Sequence, residues 1–547
     1  MAGSVNRPDP RDTERPLTVG DYAGQIASDL WNCAEVPTWP PDVFAIAASL
    51  LQESGAYTCI ISSWPPAKYA LDPKSWVVDI RNLGREWRQA CNTGAVPPPT
   101  LALWWKIIRG RDGLPLYLLR EDSDLAEALI QLCATADEAS INAGIPYETA
   151  DDFAKEAREL LVSRPKRGST LCRSIPASKL RVLPKVHTPQ SGITMRSLTH
   201  HLALCPAGDV EALWYTVPSE FLPTEPGPIV LNLLLIPWPE TLSPSCFQAL
   251  DPSNCDLRNM PPGFGFFAYA PPSSTRGSCE RLVKILERAN SLSGSIHGVI
   301  LPESALTSEQ HQEFRLKVKD RGAFLICGIG EGPSRGEKCG KNYLAFDVPS
   351  RGFLAELTQG KHHRWLLSEG QIKQYGLGSQ IASTGLWWEH ISVGHRSLAF
   401  ASLRPFLTIS ALICEDLARQ DPVAELLRAV GPNLVVALLM DGPQLSSRWP
   451  ARYATVLAED PGASVLTLTS IGMALMCVPE GCSPSRVIAL WKDARGGLQE
   501  ITLPLGAEAV ALRLKVEYRE EWSADGRGDG GSSANLTYMS VDPVTGT

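Results

Sequence analysis

The chain changes texture once, near residues 205–228, and that change limits what it can fold into. Before it, "DVFAIAASLLQESGAY", "SWVVDIRNLGREWRQACNTG", "LALWWKIIRG", "DLAEALIQLCATADEAS" and "ETADDFAKEARELLVSR" carry apolar residues at three-to-four spacing, divided by breaks such as "VPPPT" and "RDGLP". After "EFLPTEPGP", short β-rich runs alternate with helical ones: "IVLNLLLIP", "CERLVKILERANSLS", "IHGVILP", "AFLICGIG", "FLTISALIC", "VAELLRAVG", "LVVALLM". The first pattern predicts an all-α N-terminal domain over 19–205. The second predicts an α/β domain with a buried sheet over 226–520. Residues 1–18 and the Gly-, Ser- and Asp-rich stretch 521–547 read as flexible extensions. With 547 residues, the chain exceeds one ordinary core and calls for a multidomain α+β/α-β arrangement.

Charge and cysteine usage narrow the function classes. A net charge of −8 gives no global reason to expect nucleic acid or an anionic membrane as partner. The opening "MAGSVNRPDPRDTERPL" lacks the apolar centre of a signal peptide, and no run reaches the roughly 18 apolar residues of a spanning helix, so the expectation is a soluble, cytoplasmic protein. The 14 cysteines are scattered without CxxC pairs or metal-ligand spacing, which predicts reduced thiols and no metal site. One stretch reverses the acidic balance: Leu160 to Gly208 has no Asp or Glu and carries Arg164, Lys166, Arg167, Arg173, Lys179, Arg181, Lys185 and Arg196. It reads as a basic joint, either a connector that neutralises its surroundings or a surface for a protein or polyanion partner.

Three places in the α/β part carry chemistry. In "IHGVILPESALT" an apolar strand ends in Pro-Glu, leaving Glu303 where desolvation raises a carboxyl towards the range of a general base. In "QGKHHRWLLSEGQ" Lys361 leads His362, His363 and Arg364, and Glu369 follows eight residues later. In "LTISALICEDLARQDP" an apolar strand delivers Cys414 beside Glu415 and Asp416, two carboxylates that oppose a thiolate unless another group compensates. Two other motifs carry less. "GIGEGPSRGEKCGKN" has the glycines of a phosphate loop but no Lys-Ser/Thr and no following helix, so it reads as a connection between strands. "NLT" at Asn535 matches a glycosylation acceptor by chance.

The order Glu, Lys, Cys at successive strand ends resembles the nitrilase or carbon–nitrogen hydrolase superfamily, on "VILPESAL", "GKHHRWLLSEG" and "ALICEDL". "GPNLVVALLMDGP" and "YATVLAEDPGASVLTLTSIGMA" follow as the family's later strand and helix would, and the resemblance spans about 228–520. The "ICED" form is similar to the glutaminase domains attached to NAD synthetases, but no SGGxDS-type nucleotide loop follows. The resemblance implies an αββα sandwich with Glu303 as general base, Lys361 as oxyanion stabiliser, Cys414 as nucleophile and Glu369 as a supporting carboxylate. It implies a small amide or nitrile substrate, a thioester intermediate, assembly into homo-oligomers and no cofactor. Nitrilase domains with added helical modules also occur in bacterial antiviral systems. In that chemistry the backbone N–H of Glu415 joins Lys361 at the oxyanion, while the side chains of Glu415 and Asp416 turn away to cap the helix near "DLARQDP". Asp441 and Arg448, just after "LVVALLM", are candidates for polar substrate contacts. The alternative is a regulatory or scaffolding protein whose sandwich drives assembly and whose helical domain binds a partner.

Overall fold

In the computed structural model of the protein, the described residues are 15–59, 73–146, 150–162, 168–189, 192, 194–208, 210–217, 229–251, 261–272, 278–333, 339–350, 353–478 and 483–546. Residues 1–14 of the expected N-terminal extension, and Arg164, Lys166 and Arg167 of the basic joint, lie outside them. The N-terminal unit contains the helices Val19–Trp31, Pro40–Ser54, Pro73–Thr93, Pro99–Arg109, Ser123–Ala139 and Asp152–Val162. Their starts follow local rules. Thr18 and Asp21 form a capping box, Asp122 accepts from the Leu125 N–H at 3.1 Å, and prolines occupy the first turns at Pro40 and Pro99. Ser123–Ala139 is buried almost all round, the mark of a central helix, and packs against Pro40–Ser54, Pro73–Thr93 and Pro99–Arg109.

This unit is not all-α. Strand β1 (Leu180–Pro184) pairs antiparallel with β2 (Leu202–Pro206), and β3 (Val210–Thr216) pairs parallel to a strand of the C-terminal half. Runs of five to seven residues are too short to display a period, and the prolines of the joint masked them as a connector. Two of the joint's cations are also buried rather than presented to solvent. Arg181 is 3% exposed and donates to the Pro206 and Val210 carbonyls, while Lys185 is 1% exposed and donates to the carbonyls of Arg196 and Thr199. These two cations satisfy backbone oxygens and present no charge to solvent, whereas Arg173 and Lys179 of the same stretch are exposed.

The C-terminal half is built on β4 (Val230–Leu235), β5 (Phe247–Ala249), β6 (Phe264–Tyr269), β7 (Gly298–Ile300), β8 (Phe324–Glu331), β9 (Lys341–Ser350), β10 (Phe353–Gly360), β11 (Leu366–Leu367), β12 (Leu386–Glu389) and β13 (Arg396–Arg404). It continues with β14 (Leu407–Ile413), β15 (Leu434–Leu439), β16 (Ser464–Thr469), β17 (Val487–Lys492), β18 (Leu498–Thr502), β19 (Ala507–Arg519) and β20 (Ser533–Thr545). One sheet runs β10-β9-β8-β7-β4-β19-β20 and the other β18-β17-β16-β15-β14-β13-β3. Alternation sets the layers. Leu233, Ile326 and Leu512 belong to the core shared by the two sheets, whereas Leu234, Leu325 and Ala511 face the helices Ser278–Ser293 and Ser308–Lys319. The parallel strands β14, β15 and β16 are buried along their whole length, with helices Ala424–Val430 and Trp449–Glu459 in their crossovers. The result is the expected helix–sheet–sheet–helix sandwich. Gln359 joins the two sheets by donating to the Ala411 carbonyl at 3.0 Å and accepting from the Ala399 N–H at 3.0 Å.

The expected C-terminal extension is instead part of this framework. β20 pairs antiparallel with β19 from Ser533 to Thr545. The Gly-, Ser- and Asp-rich composition belongs to the connection before β20, and even that is fixed. Arg527 is fully buried, with Nε 2.7 Å from Asp525 and Nη1 3.1 Å from Asp137 and 2.8 Å from Glu138. Asp137 accepts in turn from the N–H groups of His200, His201 and Leu202. The helical unit and the sandwich therefore share one continuous core, in which Trp214 of β3 stacks on Phe400 of β13 at 5.7 Å and donates to the Gly144 carbonyl.

Candidate active site

Cys414 sits where the buried strand β14 runs into a single turn, Cys414–Leu417, with φ of +44°. A non-glycine residue in that region is strained, and the surrounding core holds it there. Glu303 follows β7 by three residues and is succeeded by Ser304, also at positive φ (+51°). The segment lies so close to β8 that a Cβ on Gly328 would stand 2.4 Å from the Glu303 Cα and 2.5 Å from the Pro302 oxygen. A Cβ on Gly330 would meet the Ser304 side chain at 2.6 Å. Gly328 and Gly330 of "GIGEG" therefore serve the close approach of β8 to this segment.

Lys361 follows β10, its N–H held by the Asn342 carbonyl of β9 at 3.0 Å. Asp416 fixes the next two residues: its carboxylate accepts from the N–H groups of His362 and His363 and from Nδ1 of His363 at 2.9 Å. Asp416 thus ties the cysteine turn to the lysine loop instead of capping the helix that follows. Glu415 pairs with Arg419 at 3.3 Å.

The three residues singled out by the sequence are buried, Glu303 at 2%, Lys361 at 1% and Cys414 at 3% exposure. Lys361 Nζ lies 2.8 Å from Glu303 Oε1 and 2.7 Å from Oε2 of Glu389. Glu389, the second carboxylate on Lys361, is a residue that sequence reasoning missed. It ends β12, which runs parallel to β6 and directs the acid inward, and its Oε2 also accepts from the Trp365 N–H at 3.1 Å. The signal available was "LWWEH", an acid closing an apolar run as Glu303 does. Glu369 is exposed in the first turn of the short helix Glu369–Gln374, where its Oε1 accepts from the Gly385 N–H. Proximity in sequence to Lys361 favoured it, but the chain turns away through β11 before that helix. Asn342, also missed, donates from Nδ2 to Glu303 Oε1 and Glu389 Oε1, both at 2.7 Å.

The electrostatics follow from burial and these charges. Burial pushes the Cys414 thiol well above its ordinary range, the Glu303 charge adds to this, and Lys361 opposes it. Burial likewise raises the Glu303 carboxyl; Lys361 opposes, and Glu389 reinforces. Burial works against the Lys361 ammonium, but Glu303 and Glu389 outweigh it and hold the proton firmly. Asp441 and Arg448 form an ion pair at 2.7 Å, and Asp441 also accepts from the Tyr375 hydroxyl and the Trp449 indole. With its oxygens so occupied, Asp441 acts on Cys414 only as a neighbouring negative charge. Among the described residues no group of three or more His, Cys, Asp or Glu could hold a metal ion, and no helix is long and apolar enough to cross a membrane.

No protein-family model matches this chain, and no curated protein matches it. Among solved structures it is similar to a CN-hydrolase superfamily protein from Xanthomonas campestris (15% identity, 52% of this chain and 90% of that one, TM-score 0.30). It is also similar to a branch 10 nitrilase-superfamily member from Saccharomyces cerevisiae (13%, 52% and 89%, 0.31) and to a variant of a Nesterenkonia amidase from the nitrilase superfamily (14%, 52% and 90%, 0.32). The likeness to nitrilase-superfamily structures extends over about half of this chain.

Proposed function

We propose that the protein hydrolyses a carbon–nitrogen bond, in an amide or a nitrile, through a thioester on Cys414. The observation that carries the reading is the buried Lys361 ammonium clamped between Glu303 and Glu389, within electrostatic reach of a strained cysteine at a strand end. A buried thiol with a raised pKa needs a base at the moment of attack, and Oε2 of Glu303 is buried with no hydrogen-bond partner among the described residues. For an amide, Glu303 takes the thiol proton as sulfur bonds to the carbonyl carbon. The charge that develops on oxygen is received by Lys361 and by the backbone N–H of Glu415 at the start of the cysteine turn. The proton on Glu303 passes to the leaving nitrogen, the C–N bond breaks, and an amine departs. Water then gives its proton to Glu303 and attacks the thioester, and the thiolate leaves and is reprotonated, releasing the carboxylic acid.

The test is incubation with small amides, nitriles and glutamine, with ammonia release followed alongside mass analysis of Cys414. Cys414→Ala should abolish both adduct and turnover, and Glu303→Gln should lower turnover by roughly 10²- to 10⁴-fold. Ammonia release that persists in Cys414→Ala would remove the reading.

A further inference from the structure

Asn342 closes a ring with the three charged groups of the site. Lys361 donates to Oε1 of Glu303 and Oε2 of Glu389, and Asn342 donates from one nitrogen to Oε1 of each carboxylate. Its orientation is set by chemistry, since an amide meeting two carboxylate oxygens presents its NH₂ to both. Two consequences follow for Glu303. Its Oε1 is held by two donors, an ammonium and an amide, while Oε2 faces no donor among the described residues. The carboxylate cannot rotate without breaking both bonds, so the free oxygen is always the same one.

Within the hydrolase reading, on which this inference rests, we infer that Asn342 is a positioning residue that selects which oxygen of Glu303 serves as the base. A bond to the ionised carboxyl also favours that form, so Asn342 keeps Glu303 available as a base in a site whose burial and second carboxylate work the other way. The charged and titratable groups around Glu303 are Lys361, Glu389 and Cys414, with Tyr269 beyond them and Glu415 and Asp441 acting on Cys414. A neutral donor is what this set requires at position 342. A third acid would repel both carboxylates, and a second cation would compete with Lys361 for them.

The experiment uses the full chain and iodoacetamide as the probe, measuring the rate of Cys414 alkylation by peptide mass analysis across a pH series. Wild type should show an acid limb, where protonation of Glu303 removes the base, and Glu303→Gln should lose that limb. Asn342→Ala should move the limb upward by about one pH unit. Asn342→Asp, which keeps the shape and so guards against a folding defect in the alanine variant, should move it at least as far. Thermal melts select the folded variants. A limb that stays in its wild-type place in either folded variant overturns the inference, as does a uniform loss of rate at every pH, which is what a merely structural role predicts. If the limb survives in Glu303→Gln, the base assignment itself fails, and the role of Asn342 fails with it. If the limb is lost in Glu303→Gln but unmoved at position 342, only the role of Asn342 falls.

Discussion

Lys361 is shared by two carboxylates, and the charge balance of the site depends on both. Removing Glu389 leaves the ammonium with Glu303 alone, so it is drawn towards the base and away from the position where an oxyanion would form. Glu389→Gln is therefore expected to lower turnover by roughly 10²-fold. Glu369→Gln, which alters an exposed side chain, should change it by less than about twofold. Equal effects in a parallel kinetic comparison would return the supporting role to the sequence-based choice. The contrast also marks what a sequence displays at this scale. Glu303 and Cys414 were legible because each ends an apolar strand, and Lys361 because it heads a basic cluster. Glu389 and Asn342 were not, because their partners are 28 and 39 positions or more distant and meet them only once β7, β9, β10 and β12 have come together.

At the scale of elements, the site depends on how closely β8 approaches the turn after β7. Ala at 328 would place a methyl against the backbone of Glu303, and that contact yields only if the turn moves. Gly328→Ala should cost about 1–3 kcal/mol of stability and reduce activity. Gly332→Ala, whose Cβ would meet only Ala270 at 3.6 Å and the Tyr269 oxygen at 3.9 Å, should be neutral. Chemical denaturation of the two variants checks this, and equal midpoints would show that the approach is not tight. The sandwich strands were legible because whole apolar runs such as "FLTISALI" and "LVVALL" report burial on both faces. β20 was not, because its glycine-rich approach dominated a composition window, and β3 was not, because it sits at the change of texture itself.

At the scale of the whole molecule, the helical unit and the sandwich are one body held by a buried charge cluster. Burial works against the Asp137 charge, but Arg527 and the neighbouring histidines outweigh it and keep the carboxyl well below its usual range. Arg527→Met would leave Asp137 and Asp525 buried without their cation, and should cost about 3–5 kcal/mol in a denaturant titration. A smaller loss than about 1 kcal/mol would mean that the two halves are joined by apolar packing alone. The cluster also imposes an order in time. Asp137 and Glu138 leave the ribosome long before Arg527, and at ordinary rates of synthesis the interval is roughly 20 to 80 s. Throughout it the helical unit carries Asp137 and Glu138 without Arg527, and the β4 sheet lacks its edge strand β20, so a nascent chain interrupted before residue 527 holds every candidate catalytic residue and yet lacks both the cation that joins the two halves and the strand that completes the sheet.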